Sequence, residues 1–245
     1  MARLLAEEGE LSTASMAERF DVSKMTIRRD LDALQQSGAA VRCYGGAVAA
    51  ERITFEFAFD ERRRRRLAEK ERIGRRAAQQ VEEGQTVFLD TGTTTLQVAR
   101  ALIRRGTSCT AITSSLVIAS ELWGCRQIEL MLVGGRVREG SPDLVGAGTE
   151  EMLDRLTADI AFIGSDGIDP ERGSFAGDMA AAGVAQRMVA DARRAVVVAD
   201  SSKLSRAGAV RYARPEEIDE LITDTGAEES AVAALRRRGV HVTLV

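Results

Sequence analysis

Seven short apolar runs follow one another through the later part of the chain, and helical segments separate most of them. The runs lie at residues 86–89, 110–113, 128–133, 160–163, 195–199, 221–223 and 240–245. The predicted helices between them lie at residues 96–105, 116–122, 150–156, 184–193 and 229–238. Near-continuous apolar strands that alternate with helices form a mostly parallel sheet covered on both faces. The sequence therefore predicts an α/β domain over residues 70–245.

The first 50 residues have a different pattern, with short helices predicted at about 2–8, 13–20 and 23–36. Ser12 or Thr13 is the expected N-cap of the second helix, and Ser23 is that of the third, which Gly38 ends. Because the link between these two helices is very short, the pair is typical of a helix-turn-helix. Residues 39–48 then predict two short strands that turn at a Gly-Gly pair, a hairpin called a wing.

The third predicted helix has two chemically different faces. Ile27, Leu31 and Leu34 are spaced to form one core-facing stripe. Cationic and hydroxyl side chains occupy its first turn and its other faces: Ser23, Lys24, Thr26, Arg28 and Arg29. A recognition helix needs this arrangement, because its first turns enter the major groove and contact bases and phosphates. The alternative is a solvated ion pair between Arg28 and Asp32, four residues apart.

Net charge limits how such a domain attracts DNA. Residues 1–50 contain six Lys or Arg against seven Asp or Glu, a net charge of −1, and the whole chain carries −3. Attraction must therefore come from a one-sided distribution of charge and not from a basic domain. Residues 51–69 predict an interdomain connection that includes five consecutive arginines at 62–66. We expect these arginines to pack on acidic surface or to stay solvated; phosphate contacts are the less favoured alternative.

A Gly/Thr turn follows the first predicted strand and opens a helix. It comprises Asp90, Thr91, Gly92, Thr93 and Thr94. Free backbone N–H groups and the positive end of a helix at such a junction suit a phosphate, and the hydroxyls add donors. In the alternative interpretation Thr93 only caps the helix and Gly92 only makes the turn. The segment is not a Walker loop, because no Gly-Lys-Ser/Thr follows.

Polar residues also follow several of the other predicted strands. They are Thr113, Ser114 and Ser115, then Gly134, Gly135 and Arg136, then Asp166 and Asp169, and finally Lys203. Ligands of open α/β sheets bind beyond the carboxyl ends of the strands, so this recurrence predicts a binding site there. Taken singly, Arg136 is also typical of a surface residue, and the two aspartates are typical of turns beside Gly167.

The chain has a single histidine, His241, which excludes most histidine-based catalysis and histidine metal sites. Its three cysteines contain no Cys-x-x-Cys pair, which argues against a disulfide framework and fits a reducing cytoplasm. No apolar run approaches the roughly 20 residues of a membrane span. We therefore expect a cytoplasmic protein with no metal, no cofactor and no membrane contact.

The segment from Ser23 to Leu31, which contains Thr-Ile-Arg-Arg-Asp-Leu, resembles the winged helix-turn-helix of the DeoR/GlpR family of bacterial transcription regulators. Gly38 and the segment Arg42-Cys43-Tyr44-Gly45-Gly46-Ala47 extend the resemblance, and the domain order matches over nearly the whole chain. The resemblance implies DNA contacts from the five polar residues of the third helix and its cap. It also places Arg42 and Tyr44 near the DNA backbone in the wing.

The sensor domain of this family looks like the ribose-phosphate isomerase and CoA-transferase folds. The isomerase's phosphate loop is matched by residues 90–94, its lysine on the preceding helix by Lys70, and its Asp-x-Ser-Lys block by residues 200–203. By resemblance, Lys70 and Thr91, Gly92, Thr93 and Thr94 hold a phosphate, while Asp166, Asp169 and Lys203 lie near the sugar. The isomerase's first aspartate falls on Gly164, and Asp178 is the only acid where a glutamate is expected.

These departures favour a sensor over an enzyme, because general acid–base catalysis needs an acidic or basic group within hydrogen-bond reach of the proton, and the isomerase's carboxylates are not matched here. The resemblance implies a repressor of a sugar or related catabolic operon whose binding to double-stranded operator DNA is relieved by a phosphorylated sugar. One such helix contacts few base pairs, so we expect a homodimer or larger homo-oligomer. The alternatives are a sugar-phosphate isomerase-like enzyme with an accessory DNA-binding domain, and a sensor domain that only oligomerises.

Overall fold

The computed structural model describes Met1, Leu4, Phe59 and residues 10–36, 40–43, 45–49, 61–138 and 141–245. Within these residues the chain divides into two compact units, Met1–Arg62 and Arg63–Val245. Most of the helix predicted at residues 2–8 and most of the predicted connection ahead of the arginines lie outside the described residues, as does Gly38.

In the described part of the N-terminal unit, a small antiparallel sheet accompanies two helices. In chain order its elements are β1 (Glu10–Ser12), α1 (Thr13–Phe20), α2 (Lys24–Gln36), β2 (Ala40–Cys43) and β3 (Gly46–Ala49). The sheet order is β1-β3-β2, so β1 adds a third strand that the sequence did not predict beside the predicted wing. A Cβ at Gly46 would lie 2.2 Å from the Leu11 carbonyl oxygen, and this close approach lets β1 pair with β3.

Side-chain caps fix the residues at which the two helices of this unit begin. The Ser12 hydroxyl accepts a hydrogen bond from Ser15 N at 3.0 Å, and the Ser23 hydroxyl accepts one from Thr26 N at 3.1 Å. Asp21 ends α1 in the left-handed conformation, with φ of 50°. The buried core of the unit includes Met16 from α1 and Ile27 and Leu31 from α2, and Leu34 is partly buried against it. The predicted core-facing stripe of Ile27, Leu31 and Leu34 is therefore confirmed, whereas Met16 was not predicted. The predicted helix-turn-helix with its wing is therefore confirmed.

A parallel sheet of seven strands forms the centre of the C-terminal unit, in the order β15-β14-β12-β9-β4-β5-β6. Its strands are β4 (Thr86–Leu89), β5 (Cys109–Thr113), β6 (Ile128–Leu132), β9 (Ile160–Ile163), β12 (Ala195–Val198), β14 (Glu220–Thr223) and β15 (His241–Leu244). Each of the seven predicted apolar runs is one of these strands, and the α/β fold class is confirmed. Residues from these strands, such as Phe88 and Phe162, are completely buried.

The helices of this unit are α3 (Leu67–Ala78), α4 (Thr93–Arg105), α5 (Leu116–Leu122), α6 (Ala147–Leu153), α7 (Met179–Ala190) and α8 (Glu229–Arg237). Both α6 and α7 begin earlier than predicted, since Gly146 and Asp178 are their N-caps. Helix α3 begins at Leu67, so Lys70 is its fourth residue.

Two small antiparallel sheets were not predicted from the sequence. One pairs β7 (Arg136–Val137) with β8 (Leu144–Val145), and the other joins β10 (Gly167–Asp169), β11 (Gly173–Ala176) and β13 (Val210–Ala213). Strands of two to four residues are too short to show a clear apolar alternation, so periodicity in the sequence does not reveal them.

Helices α3 and α4 pack side by side and run in the same direction. A Cβ at Gly74 of α3 would lie 2.5 Å from the backbone carbon of Gln97 of α4. At the C-terminal ends, Arg105 Nη1 of α4 donates to the carbonyl oxygens of Ala78 and Val81, each at 2.6 Å. The two N-termini therefore lie together at the opposite end, which is the carboxyl edge of the sheet because α4 begins just after β4.

The close contact at Gly74 generates a prediction about stability. Gly74→Ala should lower the free energy of unfolding by about 1–3 kcal/mol, because the new methyl group overpacks the contact with the Gln97 backbone. Gly148→Ala is the matched control, since a Cβ at Gly148 of α6 would meet nothing within 4 Å. Thermal unfolding followed by circular dichroism measures both variants. Equal melting temperatures for Gly74→Ala and wild type would contradict the prediction.

Candidate functional site

Helix α2 presents its polar face to solvent. Ile27 and Leu31 are completely buried on the opposite face. The five residues predicted to contact DNA from this helix and its cap are all exposed: Ser23, Lys24, Thr26, Arg28 and Arg29. Met25 lies among them and is 70% exposed. The structure thus brings the predicted cationic and hydroxyl groups to one accessible surface.

Two of these hydroxyl groups already have a structural role. The Ser23 and Thr26 side chains share a hydrogen bond of 2.9 Å, in addition to the cap that Ser23 makes to Thr26 N. The two predicted wing contacts give no such detail, because the side chain of Arg42 and all of Tyr44 lie outside the described residues.

At the carboxyl end of β4, the Gly/Thr turn opens α4 without a side-chain cap. The N-cap is Gly92, with φ of 140°, and not Thr93. The Thr95 hydroxyl donates to the Gly92 carbonyl oxygen at 3.0 Å, and Thr94 is buried beside it. Backbone N–H groups of the first helical turn are therefore not engaged by a capping side chain. This is the arrangement that an anion uses at a helix N-terminus.

Lys70 lies at the same end of the structure as this turn. It precedes Gly74 by four residues, as Thr93 precedes Gln97, and α3 and α4 run parallel. Its side chain is 4% exposed, and Nζ donates to the Arg65 carbonyl oxygen at 2.8 Å. The structure therefore brings the predicted phosphate lysine close to the N-terminal end of α4, but in a buried and hydrogen-bonded state.

Asp90 is buried below the turn and joins two strand ends. Its Oδ2 accepts a hydrogen bond from Gly164 N at 3.0 Å, and the Tyr212 hydroxyl donates to the Gly164 carbonyl oxygen at 2.8 Å. Burial raises the pKa of Asp90 to about 7, while hydrogen bonds from the backbone of Gly164 and Thr91 act in the opposite direction. Asp90 thus supports the turn from beneath, and its burial favours the protonated form.

The three hydroxyl groups at the end of β5 have different environments. Thr113 Oγ1 donates to the Leu89 carbonyl oxygen at 2.6 Å and accepts from Ser115 N at 3.0 Å. The Ser115 hydroxyl is the N-cap of α5 and accepts from Ile118 N at 3.3 Å. Ser114 Oγ is buried and has no hydrogen-bond partner within the described parts of the chain. Two of the three hydroxyls therefore hold the turn, and one is left unsatisfied.

After β6 the glycines allow a close approach of backbone to side chain. The Gly134 carbonyl oxygen accepts from Thr149 Oγ1 at 2.8 Å, and a Cβ at Gly135 would lie 2.0 Å from Thr149 Oγ1. Arg136 is exposed. Two residues further on, Arg138 is largely buried between Asp143 and Asp178. The sequence reasoning missed Arg138, because nothing in its spacing distinguishes it from Arg136.

The residues predicted near the sugar are less uniform. Asp169 accepts hydrogen bonds from Glu171 N and Arg172 N at 2.9 and 3.0 Å, so its carboxylate forms the β10–β11 turn. Asp166 is exposed, and Lys203 is partly exposed at the end of the short 3₁₀ helix Ser201–Lys203. Asp166 and Lys203 follow β9 and β12, so they share the carboxyl edge of the sheet with the residues described above.

Arg66 belongs to a second group of charges, whose partners the sequence did not identify. Arg66 Nη1 donates to the Ser201 hydroxyl at 2.9 Å and lies 3.9 Å from Asp224 Oδ2, while Nε lies 3.7 Å from Asp200 Oδ1. Burial opposes ionisation of Asp224, but the Ser201 and Gly226 hydrogen bonds and the Arg66 charge hold its pKa below the ordinary value. Arg66 is the last of the five consecutive arginines, so at least one of them binds acidic groups, as expected.

No helix in the described part of the chain is long and apolar enough to cross a membrane. The same residues contain no group of three or more His, Cys, Asp or Glu side chains arranged to hold a metal ion.

Burial of Asp90 generates a prediction about pH. With a pKa of about 7 in the folded state and 3.8 as its ordinary value, the folded chain keeps a proton that the unfolded chain has lost. The free energy of unfolding should therefore fall as pH rises from about 4 to 7, with no further loss from this group above pH 7. Asp90→Asn keeps an acceptor for Gly164 N and cannot titrate.

Urea unfolding at pH 5, 6, 7 and 8 measures this effect in wild type and Asp90→Asn. Across this range the free energy of unfolding should fall by at least about 1 kcal/mol more in wild type than in Asp90→Asn, since one pKa unit corresponds to about 1.4 kcal/mol. Parallel pH profiles for the two proteins would show that Asp90 has an ordinary pKa.

Family models match both units of the chain. Residues 1–52 match the DeoR-like helix-turn-helix domain, and residues 65–225 match the DeoR C terminal sensor domain.

Relatives align along almost the whole length of the chain. A protein of Escherichia coli O157:H7, assigned by name to repression of the aga operon, is 34% identical over 98% of this chain and 90% of its own. The transcriptional regulator GlpR of Haloferax volcanii is 35% identical over 99% and 94%. The glycerol-3-phosphate regulon repressor of Escherichia coli K12 is 29% identical over 98% and 95%.

Solved structures overlap only in part. Ribose 5-phosphate isomerase A of Methanocaldococcus jannaschii matches 55% of this chain and 53% of its own, with a TM-score of 0.40 at 22% identity. Translation initiation factor eIF-2B of Pyrococcus horikoshii OT3 matches 71% and 69%, with a TM-score of 0.46 at 17% identity.

These relatives are transcriptional repressors and regulators, so the chain is a regulator and not an enzyme. The chain belongs to the DeoR family of DNA-binding transcriptional regulators, with an N-terminal helix-turn-helix domain and a C-terminal sensor domain.

Proposed function

We propose that this regulator represses a sugar or related catabolic operon and that a phosphorylated sugar or a close analogue releases it from operator DNA. The observation that carries the effector class is the N-terminus of α4, where Gly92 leaves the first-turn N–H groups without a capping side chain. Thr94 and Lys70 add a hydroxyl and a cation at the same edge of the sheet. One relative is named for the glycerol-3-phosphate regulon, and this name supports a phosphorylated effector.

The residues that carry each role remain those that the sequence predicted. For DNA they are Ser23, Lys24, Thr26, Arg28 and Arg29, with Arg42 and Tyr44 in the wing. For the effector they are Lys70, residues 90–94, Thr113, Ser114, Ser115, Gly134, Gly135, Arg136, Asp166, Asp169 and Lys203. In this proposal Asp90, Thr113 and Ser115 act by shaping the site, since their hydrogen bonds are already made within the protein.

The assembly and the domain limits belong to the same proposal. We place the DNA-binding domain at residues 1–50, a linker at 51–69 and the sensor domain from residue 70, in a cytoplasmic homodimer or larger homo-oligomer. One recognition helix contacts too few bases for strong specificity, and pairing doubles the number of bases that are contacted.

The DNA-binding role of α2 is tested by Arg29→Ala. Loss of one arginine that contacts a base edge should weaken operator binding by about 1–3 kcal/mol, roughly ten- to a hundredfold, and reduce the preference for operator over scrambled DNA. Arg75→Ala removes the same charge from an exposed position on α3 and is the control. Fluorescence anisotropy at matched salt measures both. An unchanged operator-to-scrambled ratio in Arg29→Ala would refute the assignment.

The effector role of the α4 N-terminus is tested by Thr94→Val and Lys70→Ala. Each should leave operator affinity intact and shift the dose of effector needed for release by about tenfold or more, because a charged hydrogen bond contributes roughly 1.5–3 kcal/mol. Thr110→Val makes the same chemical change at the amino end of β5, on the opposite edge of the sheet, and should respond as wild type does.

The ligand for this test is found by thermal shift with a panel of sugar phosphates and glycerol 3-phosphate, each beside its unphosphorylated parent. A ligand that binds the folded state raises the melting temperature. If no compound raises it, the alternative of a sensor domain that only oligomerises is correct and the effector proposal is wrong.

A further inference from the structure

Arg138 is the centre of a three-residue cluster of charges that the proposed function has not used. Its Nε and Nη2 atoms donate to the two carboxylate oxygens of Asp143 at 2.9 and 3.3 Å, and its Nη1 donates to Asp178 Oδ2 at 2.5 Å. We call Arg138, Asp143 and Asp178 the Arg138 cluster. It joins the segment after β7 to the N-cap of α7.

The Arg138 cluster stands at the carboxyl edge of the sheet. Leu116 N donates to the Pro142 carbonyl oxygen and Leu144 N donates to the Ser114 carbonyl oxygen, each at 2.8 Å, so the segment around Asp143 runs along the end of β5. The charges of Asp143 and Arg138 also act on Asp90, at the start of the Gly/Thr turn. The cluster therefore lies beside the turn that we propose to bind phosphate.

The two carboxylates of the cluster are not equivalent. The side chain of Asp143 is 1% exposed and meets Arg138 with both oxygens, whereas that of Asp178 is 47% exposed and meets it with one. The other oxygen of Asp178 accepts from Ala181 N at 2.9 Å and caps α7. An exposed ion pair adds little to stability. Asp143 is thus a fixed partner of Arg138, and Asp178 is an exchangeable one.

A second and independent observation points to a ligand here. Ser114 Oγ is buried and has no hydrogen-bond partner among the described residues. The carbonyl oxygen of the same residue accepts a hydrogen bond from Leu144 N, next to Asp143. A buried hydroxyl without a partner costs free energy and calls for a ligand or an ordered water. The unsatisfied hydroxyl therefore lies beside the segment that carries Asp143, the fixed partner of Arg138.

We propose that Arg138 binds the phosphate of the effector and that, in the absence of effector, Asp178 accepts the Arg138 hydrogen bond that the phosphate would otherwise accept. The inference rests on the proposed function, whose ligand class it shares. A guanidinium binds phosphate through paired N–H donors, so phosphate is a stronger partner than the single oxygen of an exposed carboxylate.

Charge makes this exchange selective. Asp143 alone neutralises Arg138, so Asp178 gives the cluster an excess negative charge, and Asp178 and phosphate compete for the same guanidinium edge. A neutral sugar offers no charge with which to displace Asp178. The aspartate therefore acts as a built-in competitor that discriminates against unphosphorylated compounds. Removing its charge should strengthen phosphate binding, an effect that a purely structural aspartate would not produce.

The experiment is isothermal titration of the full-length protein with inorganic phosphate, using wild type and Asp178→Asn. Asparagine is a good N-cap, so the cap to Ala181 N is retained while the charge is lost. Asp178→Asn should bind phosphate about five- to tenfold more tightly than wild type. Equal or weaker binding by a variant that still binds operator DNA overturns the proposal.

Two arginine variants complete the test. Arg138→Gln should weaken phosphate binding tenfold or more, and Arg138→Lys, which keeps the charge without the paired donors, should lie between it and wild type. Arg126→Gln removes an exposed arginine just ahead of β6, at the amino edge of the sheet, and should bind as wild type does. Wild-type affinity in Arg138→Gln, or an equal loss in Arg126→Gln, overturns the proposal.

The outcome also separates this inference from the proposed function. If Thr94→Val weakens phosphate binding and a sugar phosphate releases the operator, but Asp178→Asn binds phosphate as wild type does, the Arg138 proposal fails and the effector class stands. If neither phosphate nor any sugar phosphate binds wild type or Asp178→Asn, both fail.

Discussion

Buried carboxylates at the carboxyl edge of the sheet are the constraint on which the C-terminal unit depends. Asp90, Asp143, Asp200 and Asp224 are each 1–5% exposed, and a buried charge without a partner is strongly destabilising. Each has a specific solution: a backbone amide for Asp90, an arginine for Asp143, and amides together with Arg66 for the other two. These bonds fix the strand ends, the turns after them, Arg66 and Arg138 in one arrangement. The proposed ligand site is therefore preformed.

The fold was predictable from the sequence wherever structure follows from local composition. Buried parallel strands are continuous apolar runs, so all seven were found, and Ser23 marked the start of α2 because a cap acts within one turn. The antiparallel additions were not predictable. β1 depends on a contact between Gly46 and Leu11 that only the folded chain makes, and β7 has two residues and hence no periodicity.

The candidate site divides in the same way. The turn at Gly92 is a local signal, since a strand, a glycine and a helix follow one another in sequence. The difference between Ser114 and Ser115 is not local: one hydroxyl caps a helix and the other is buried without a partner among the described residues. Arg138 is identified only by partners five and forty residues away. The role of a side chain whose partners are distant in sequence can be identified only in the folded structure. This applies to Arg66 and to Arg138.

Arg66 has a further consequence for how a signal leaves the sensor domain. The chain enters this domain in the left-handed conformation at Arg66, with φ of 51°, and the same residue binds Ser201 at the start of the segment that carries Lys203. The entry point and the proposed ligand contacts thus share one edge of the sheet. If the proposed ligand displaces the Ser201–Lys203 segment, the Arg66–Ser201 hydrogen bond carries this displacement directly to the backbone at the N-cap of α3.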